Sequence, residues 1–182
     1  WWYGQMLEGV ITAFCLTEPG AGSDAAGLST RCVKDGDDYI LNGTKQFISN
    51  GGVAGLYTVF ATLDKKMGHK GICCFMVDRN TPGISVSKPE NKMGIRSSNT
   101  TQVIFEDVRV PARNLLGKEG DGFKIAMKTL DISRAVVAAM AVGIAQGAFE
   151  CAVQYAKERQ QFGKPIASFQ AIQFILAEMS VM

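Results

Sequence analysis

Thr17, Gly20, Gly22 and Ser23 crowd the end of an apolar run. Two hydroxyls and two bare glycines can aim side-chain and backbone donors at an anion, the chemistry expected of a site for a large, flat, phosphate-bearing cofactor. A tight surface turn uses the same residue types, and a lone Gly-x-Gly does not separate the two readings. Gly20-x-Gly22-x-x-Ala25 also matches the dinucleotide fingerprint, which requires a long helix and then a parallel strand. Asp24 to Leu28 leaves room for about one helical turn before the text turns extended at Ser29. A Rossmann unit is therefore rejected.

Other reactive residues are few. His69 is the only histidine and sits in an expected turn, so a histidine-based triad or multi-histidine metal site is excluded. The cysteines, Cys15, Cys32, Cys73, Cys74 and Cys151, are odd in number and lack a Cys-x-x-Cys pair. They read as reduced thiols of an intracellular protein, with neither a disulfide framework nor a metal. The formal charge of +2 is spread without a polybasic block, which argues against nucleic acid and anionic membranes as partners. Asp131 and Arg134 form an i, i+3 ion pair on a helical text, at the head of an apolar run that is a poor place for a merely solvated charge. That run, 135–145, is too short to span a bilayer, so no membrane span is expected. Trp1-Trp2-Tyr3 opens the chain without an initiating methionine and Met182 ends it inside a helical pattern, so both ends look cut.

Positioning these residues falls to two kinds of text. Residues 1–9 read as the tail of a preceding element, with Gly9 as its stop. From Val10 to about Leu116 short apolar strands alternate with turn signals. Asp35-Gly36 and Asn42-Gly43 both read as hairpin turns, giving an antiparallel barrel or sandwich. After Gly120 the period becomes helical, with Asp121 as a possible cap, and holds to about Arg159 without a proline. Phe162-Gly163-Lys164-Pro165 stops the helix, and Ser168 caps a second one. Ala135 to Ala148 is apolar nearly all round and must be covered by other helices. The fold class is α+β and multidomain: an antiparallel β-barrel domain over 10–118, followed by an incomplete four-helix bundle over 119–182.

With these pieces in order, the sequence resembles the acyl-CoA dehydrogenase family. The resemblance is carried by Phe14–Asp24, LNGTKQFISNGG (41–52), Thr81-Pro82-Gly83, KMGIR (92–96), FEDVRVP (105–111), Gly122–Met127, RQQFGK (159–164) and Phe169–Ile172. It implies an N-terminal helical domain, a middle β-barrel and a C-terminal four-helix bundle, of which this chain holds the second and the start of the third. It implies FAD along Phe14, Leu16, Thr17, Gly22 and Ser23, with Phe47, Ile48 and Ser49 flanking the flavin. The family often has tryptophan at the position of Phe47 and threonine at that of Ser49. Both replacements keep the chemistry, an aromatic face and a hydroxyl for the flavin N5. Read without the family, Phe47 is a core strand residue.

Arg159, Phe162 and Gln170 match further FAD positions, the arginine reaching the pyrophosphate across a subunit interface. Ser23, Asp131 and Arg134 match substrate contacts. The implied reaction is α,β-dehydrogenation of a fatty acyl-CoA, with electrons passed to electron-transfer flavoprotein, in a homotetramer or homodimer of the bacterial cytoplasm or mitochondrial matrix. The family's catalytic glutamate lies late in the bundle or, in a minority branch, just before the arginine of the first bundle helix. That second place holds Ser133, so the base is expected beyond Met182 and no catalytic residue within the chain. Acyl-CoA oxidases and flavin monooxygenases share the architecture and are the rival enzymes. A non-catalytic acyl-CoA- or DNA-binding flavoprotein is the rival of another class, and the lack of a basic stripe counts against the DNA version.

Overall fold

The computed structural model describes residues 2–182, which divide into two compact units, one running through Lys128 and the other from Thr129 to Met182. The first unit opens with a short helix, α1 (Trp2–Leu7). Seven strands follow: β1 (Thr12–Cys15), β2 (Arg31–Asp35), β3 (Asp38–Ser49), β4 (Leu56–Thr62), β5 (Ile72–Asp78), β6 (Ile84–Val86) and β7 (Thr100–Pro111). They form one sheet in the order β1-β4-β2-β3-β7-β6, with β5 paired antiparallel along the whole of β4.

The sheet is mixed, which corrects the expectation of a purely antiparallel barrel. β1 runs parallel to β4, from Thr12 opposite Leu56 to Cys15 opposite Val59, and β2 touches β4 in the same sense through Arg31 and Thr62. The cause is the loop after β1. Glu18 reaches forward and accepts the N–H groups of Ser29 and Thr30 at 2.6 and 2.9 Å. That capture delivers β2 to the far end of β4, so β1 is never offered a hairpin partner. The expected turn at Asn42-Gly43 is also absent, because β3 runs straight through it. The 12-residue β7 supplies a partner on both sides, and the register slips once between Leu41 and Gly43. Gly43 is needed for close approach: a Cβ there would lie 2.4 Å from Thr30 Oγ1 and 2.7 Å from its Cα. The Asp35-Gly36 turn does form, with Gly36 at φ 62° between antiparallel β2 and β3.

β4 and β5 read as continuous apolar text because both faces are covered. Tyr57, Val59, Ala61, Cys73, Phe75 and Val77 point into one core with Leu41, Val103 and Phe105. Phe60, Ile72 and Cys74 point into a second, with Leu16 and Leu28. The lid of this second core is the start of α2 (Gly122–Glu158), through Phe123, Ala126 and Met127. Gly122 sits where a Cβ would meet the Cys73 carbonyl carbon at 2.5 Å, so the helix begins pressed onto β5. The Asp121 carboxylate accepts from Lys118 N, and its carbonyl accepts Ile125 N–H. Tyr39 Oη donates to the Glu119 carboxylate, joining β3 to this same approach. Cys15, Cys32, Cys73 and Cys74 are all buried in the β unit, whereas Cys151 on α2 is exposed.

The second unit holds the rest of α2, a two-residue hairpin of β8 (Gln160–Gln161) with β9 (Lys164–Pro165), and α3 (Gln170–Val181). Ser168 does not cap α3. It closes a 3-10 turn, and Phe169 takes the cap position without a side-chain bond. Within this unit Val136, Val137, Met140, Val142 and Ile144 stay exposed. Because α2 is unbroken over 37 residues, it is long and apolar enough to cross a membrane by length and composition. The shorter apolar run judged from the sequence understated this.

Candidate functional site

The loop leaving β1 is tied to β3 by a buried ion pair. Lys45 Nζ donates to Glu18 Oε1 at 2.7 Å and to the Leu16 carbonyl at 3.1 Å, with both charged side chains almost wholly shielded from solvent. Burial pushes the Glu18 carboxyl up. The Lys45 ammonium and the donors at Thr30 and Ser29 outweigh it and hold Glu18 below the usual carboxylate range. Burial likewise pulls Lys45 down, opposed by Glu18. With both Glu18 oxygens accepting and Lys45 Nζ donating to two acceptors, the charged form is the one the geometry favours. Glu18 and Ala21 also exchange both backbone bonds, at 3.0 and 3.1 Å, which folds the loop tightly. Glu18 thus serves the loop from beneath.

Beside this pair β3 changes course. Lys45 lies opposite Val103 and Ile48 opposite Thr101, so Gln46 and Phe47 together face the single residue Gln102. This is a β-bulge, a device that re-aims a side chain at the cost of ladder bonds. Gln46 N–H leaves the ladder and donates to the Thr17 carbonyl at 2.8 Å. Phe47 takes φ 55° and stands 62% exposed. A bulky residue held in this region costs about 1–3 kcal/mol, and such strain clusters at functional sites. Phe47 is therefore not the core strand residue that its sequence surroundings alone suggest.

The expected site residues of the first unit fall along this seam. Phe14 packs edge-on against Phe60 at 4.9 Å, Leu16 and Ile48 are buried, and Thr17 is half-buried. Gly22, Ser23, Phe47 and Ser49 are exposed. A Cβ at Gly20 or Gly22 would meet nothing within 4 Å, so packing gives no reason for glycine at either. The strand of this seam ends in a pinned turn. Tyr57 Oη donates to the Gly51 carbonyl at 2.7 Å, Arg79 Nη1 donates to that of Gly52 at 2.7 Å, and Asn99 Oδ1 accepts Gly52 N–H.

In the second unit Asp131 Oδ1 lies 3.7 Å from Arg134 Nε, and both side chains are 76% exposed. Ser133 Oγ donates to the Leu130 carbonyl at 3.0 Å. Leu130, Ser133, Arg134, Val137, Ala138 and Ala141 line an apolar groove. Arg159 accepts Ile166 N–H at the root of the β8–β9 hairpin, Phe162 is exposed at φ 51°, and its ring meets Phe169 edge-on at 6.0 Å, next to Gln170. Among the described residues no group of His, Cys, Asp and Glu could hold a metal.

Sequence reasoning missed Lys45, Gln46, Glu90 and Gln102. A lysine and two glutamines on strands ordinarily mark the solvated face. The legible signal was Glu18, a carboxylate in an apolar setting that needs a cation nearby.

Two family models match the chain: the acyl-CoA dehydrogenase middle domain over residues 13–108 and the acyl-CoA dehydrogenase C-terminal domain over 120–182. A short-chain-specific acyl-CoA dehydrogenase of Megasphaera elsdenii is 53% identical over 178 residues, covering 97% of this chain and 46% of that one. A chain in the solved structure of the electron transferring flavoprotein of Acidaminococcus fermentans is 54% identical with a TM-score of 0.92, covering 94% of this chain and 45% of its own. An FAD-dependent dehydrogenase of known structure is 40% identical with a TM-score of 0.91, covering 94% and 46%. This chain thus spans less than half the length of the proteins it matches. The middle-domain match alone takes in more than half of its residues. With it fall the Gly-rich loop, the bulge and the buried pair that joins them, and the chain belongs to the acyl-CoA dehydrogenase family.

Proposed function

We propose that this chain is the FAD- and substrate-handling portion of an acyl-CoA dehydrogenase that forms the α,β double bond of a short-chain fatty acyl-CoA. The observation that carries the reading is Phe47, strained and exposed on a bulge beside the Thr17 loop. The residues present fit a flavin. Phe47 offers a flat apolar face, Thr17 and Ser49 offer hydroxyls, and the space above Gly20 and Gly22 is open for a bulky group. When bound, FAD supplies the acceptor for the β-hydride.

The chain's own residues bind and orient. Leu16, Thr17 and Ile48 form the wall, Phe14 backs it, Ser23 meets the acyl-CoA, and Asp131 with Arg134 positions the thioester end. Arg159, Phe162 and Gln170 hold the remainder of the cofactor, the arginine by bidentate contact with phosphate. Residues 10–118 act as the middle domain, after the tail of an N-terminal helical domain over 1–9. Residues 119–182 begin a helical bundle whose exposed apolar faces other helices and a second subunit cover, giving a homo-oligomer. The base that takes the α-proton is assigned outside these residues. Glu18 is consumed by Lys45, and the Ser133 hydroxyl is committed to a backbone carbonyl. Electrons leave to an electron-transfer flavoprotein, and the enzyme works in the bacterial cytoplasm or mitochondrial matrix.

The test is anaerobic titration of the full-length protein with butyryl-CoA. A yellow protein whose flavin band bleaches stoichiometrically, and returns on adding oxidised electron-transfer flavoprotein, is expected. A colourless protein overturns the cofactor assignment. Rapid return in air without that partner overturns the acceptor in favour of an oxidase.

A further inference from the structure

At the bulge, the backbone N–H groups of Gln46 and Gln102 both find partners outside the β3–β7 pair. Gln46 N–H donates to the Thr17 carbonyl, and on the facing strand Gln102 N–H donates to Ser87 Oγ at 2.9 Å while its carbonyl accepts Ser87 N–H at 3.2 Å. Side chains span the two strands at this point. Gln102 Nε2 donates to Gln46 Oε1 at 2.5 Å, and Gln46 Nε2 donates to Glu90 Oε1 at 2.7 Å. Glu90 is itself fixed by its N–H on the Thr100 carbonyl at 2.8 Å. Lys92 Nζ ties the same segment to Ser98 and Thr100.

We propose that Glu90, Gln46 and Gln102 are positioning residues that set the bulge, and through it the angle at which Phe47 and Ser49 are presented to the flavin. The consequence for the flavin rests on the function proposed above, whereas the setting of the bulge does not. The amide geometry gives the chain a direction. A glutamine that accepts on Oε1 and donates on Nε2 cannot flip while Glu90 remains an acceptor and Gln102 a donor. Gln46 is buried, so a lost partner leaves an amide unsatisfied and free to rotate. Its backbone would then be free to return its N–H to the ladder, and Thr17 would lose the bond that joins the loop to β3. None of the three side chains touches the flavin in this scheme, and each acts through the backbone at 46–47.

The experiment uses full-length protein carrying Gln102→Leu, Glu90→Ala or Glu90→Gln. The first readout needs no flavin: amide hydrogen exchange in the apoprotein. Gln102→Leu and Glu90→Ala are expected to speed exchange at Gln46 by about tenfold or more, with Val59 and Phe75 within about twofold of the parent. Glu90→Gln, which keeps an acceptor oxygen, is expected to retain parental exchange. The second readout is the visible circular dichroism of the bound flavin, expected to fall by about half or more in the first two variants and to hold in the third. Uniform acceleration across the β unit would mean a merely structural role and overturns the proposal. Unchanged exchange at Gln46 overturns it as well, and an unchanged flavin spectrum overturns the link to Phe47 and Ser49. A parent protein that binds no flavin sinks the proposed function, and the exchange data still decide whether these residues set the bulge.

Discussion

The two halves of this chain treat water in opposite ways. In the β unit even a lysine and a glutamate are buried, matched to each other and to backbone donors at 2.6–3.1 Å. In the helical unit Val136, Val137, Met140 and Ile144 lie open. One half is finished by its own sheet and the first turns of α2. The other shows a helix whose side chains at Val136, Val137 and Met140 lie open within its own unit. The contrast places the matched buried charges in the first unit and the open apolar surface in the second.

The largest expected effect lies at Glu18. Glu18→Ala leaves the Lys45 ammonium buried without its counter-charge and frees the Ser29 and Thr30 N–H groups, at a cost of about 3–5 kcal/mol. Urea denaturation of the parent and the variant, followed by Trp fluorescence and far-ultraviolet dichroism, measures it. A cost near zero would place the integrity of the β unit elsewhere and break the comparison.

Acid should probe the same pair without a mutation. Glu18 is held below its ordinary value, so its contribution is fully present above the unfolded carboxylate pKa, about 4.3. It is lost as pH falls through the lower folded value, because the unfolded chain binds the proton first. Stability measured from pH 6 downward should therefore decline below about pH 4.3, and this decline should be absent in Glu18→Gln.

Gly43→Ala comes next, at about 1–3 kcal/mol, from forcing a methyl onto Thr30 at a position with φ 155°. The same measurement applies, and a neutral result would mean that β2 and β3 can part without loss. Val137→Ala should be the smallest, within about 0.5 kcal/mol in these 182 residues, since its side chain is already more than half exposed. In the full-length protein, where the proposed function has other helices cover this face, the same change should cost several times more. Equal and small costs in both would mean that nothing covers this face.

What could be read from the sequence follows a physical divide. Local signals held: the Asp35-Gly36 turn, the long helix from Gly122 and the stop at Phe162–Pro165 depend on nearby residues. The partnering of β1 with β4 did not show, because parallel registry arises from where Glu18 sends the chain, many residues away. Asn42-Gly43 carried a turn code that a long β7 overrode. Ser168 carried a cap code that the 3-10 turn at Ile166–Ser168 displaced. At the candidate site, family motifs pointed to Phe14–Ser23 and Phe47–Ser49. That Phe47 stands on a bulge, and that Lys45 and Gln46 lie beneath it, depends on a one-residue slip against Gln102, which no periodicity records.

The cysteines described with the fold make the chain its own gauge of opening. Burial pushes the Cys15 and Cys74 thiols up to about 12, and Cys32 and Cys73 are shut in the same interior. Alkylation requires a reachable thiolate, so these four should stay silent toward a maleimide while the sheet is closed. Cys151 is open to it in this chain. A mass spectrometer would then see one adduct on closed molecules and five on molecules that had come apart, with no substitution introduced into the chain.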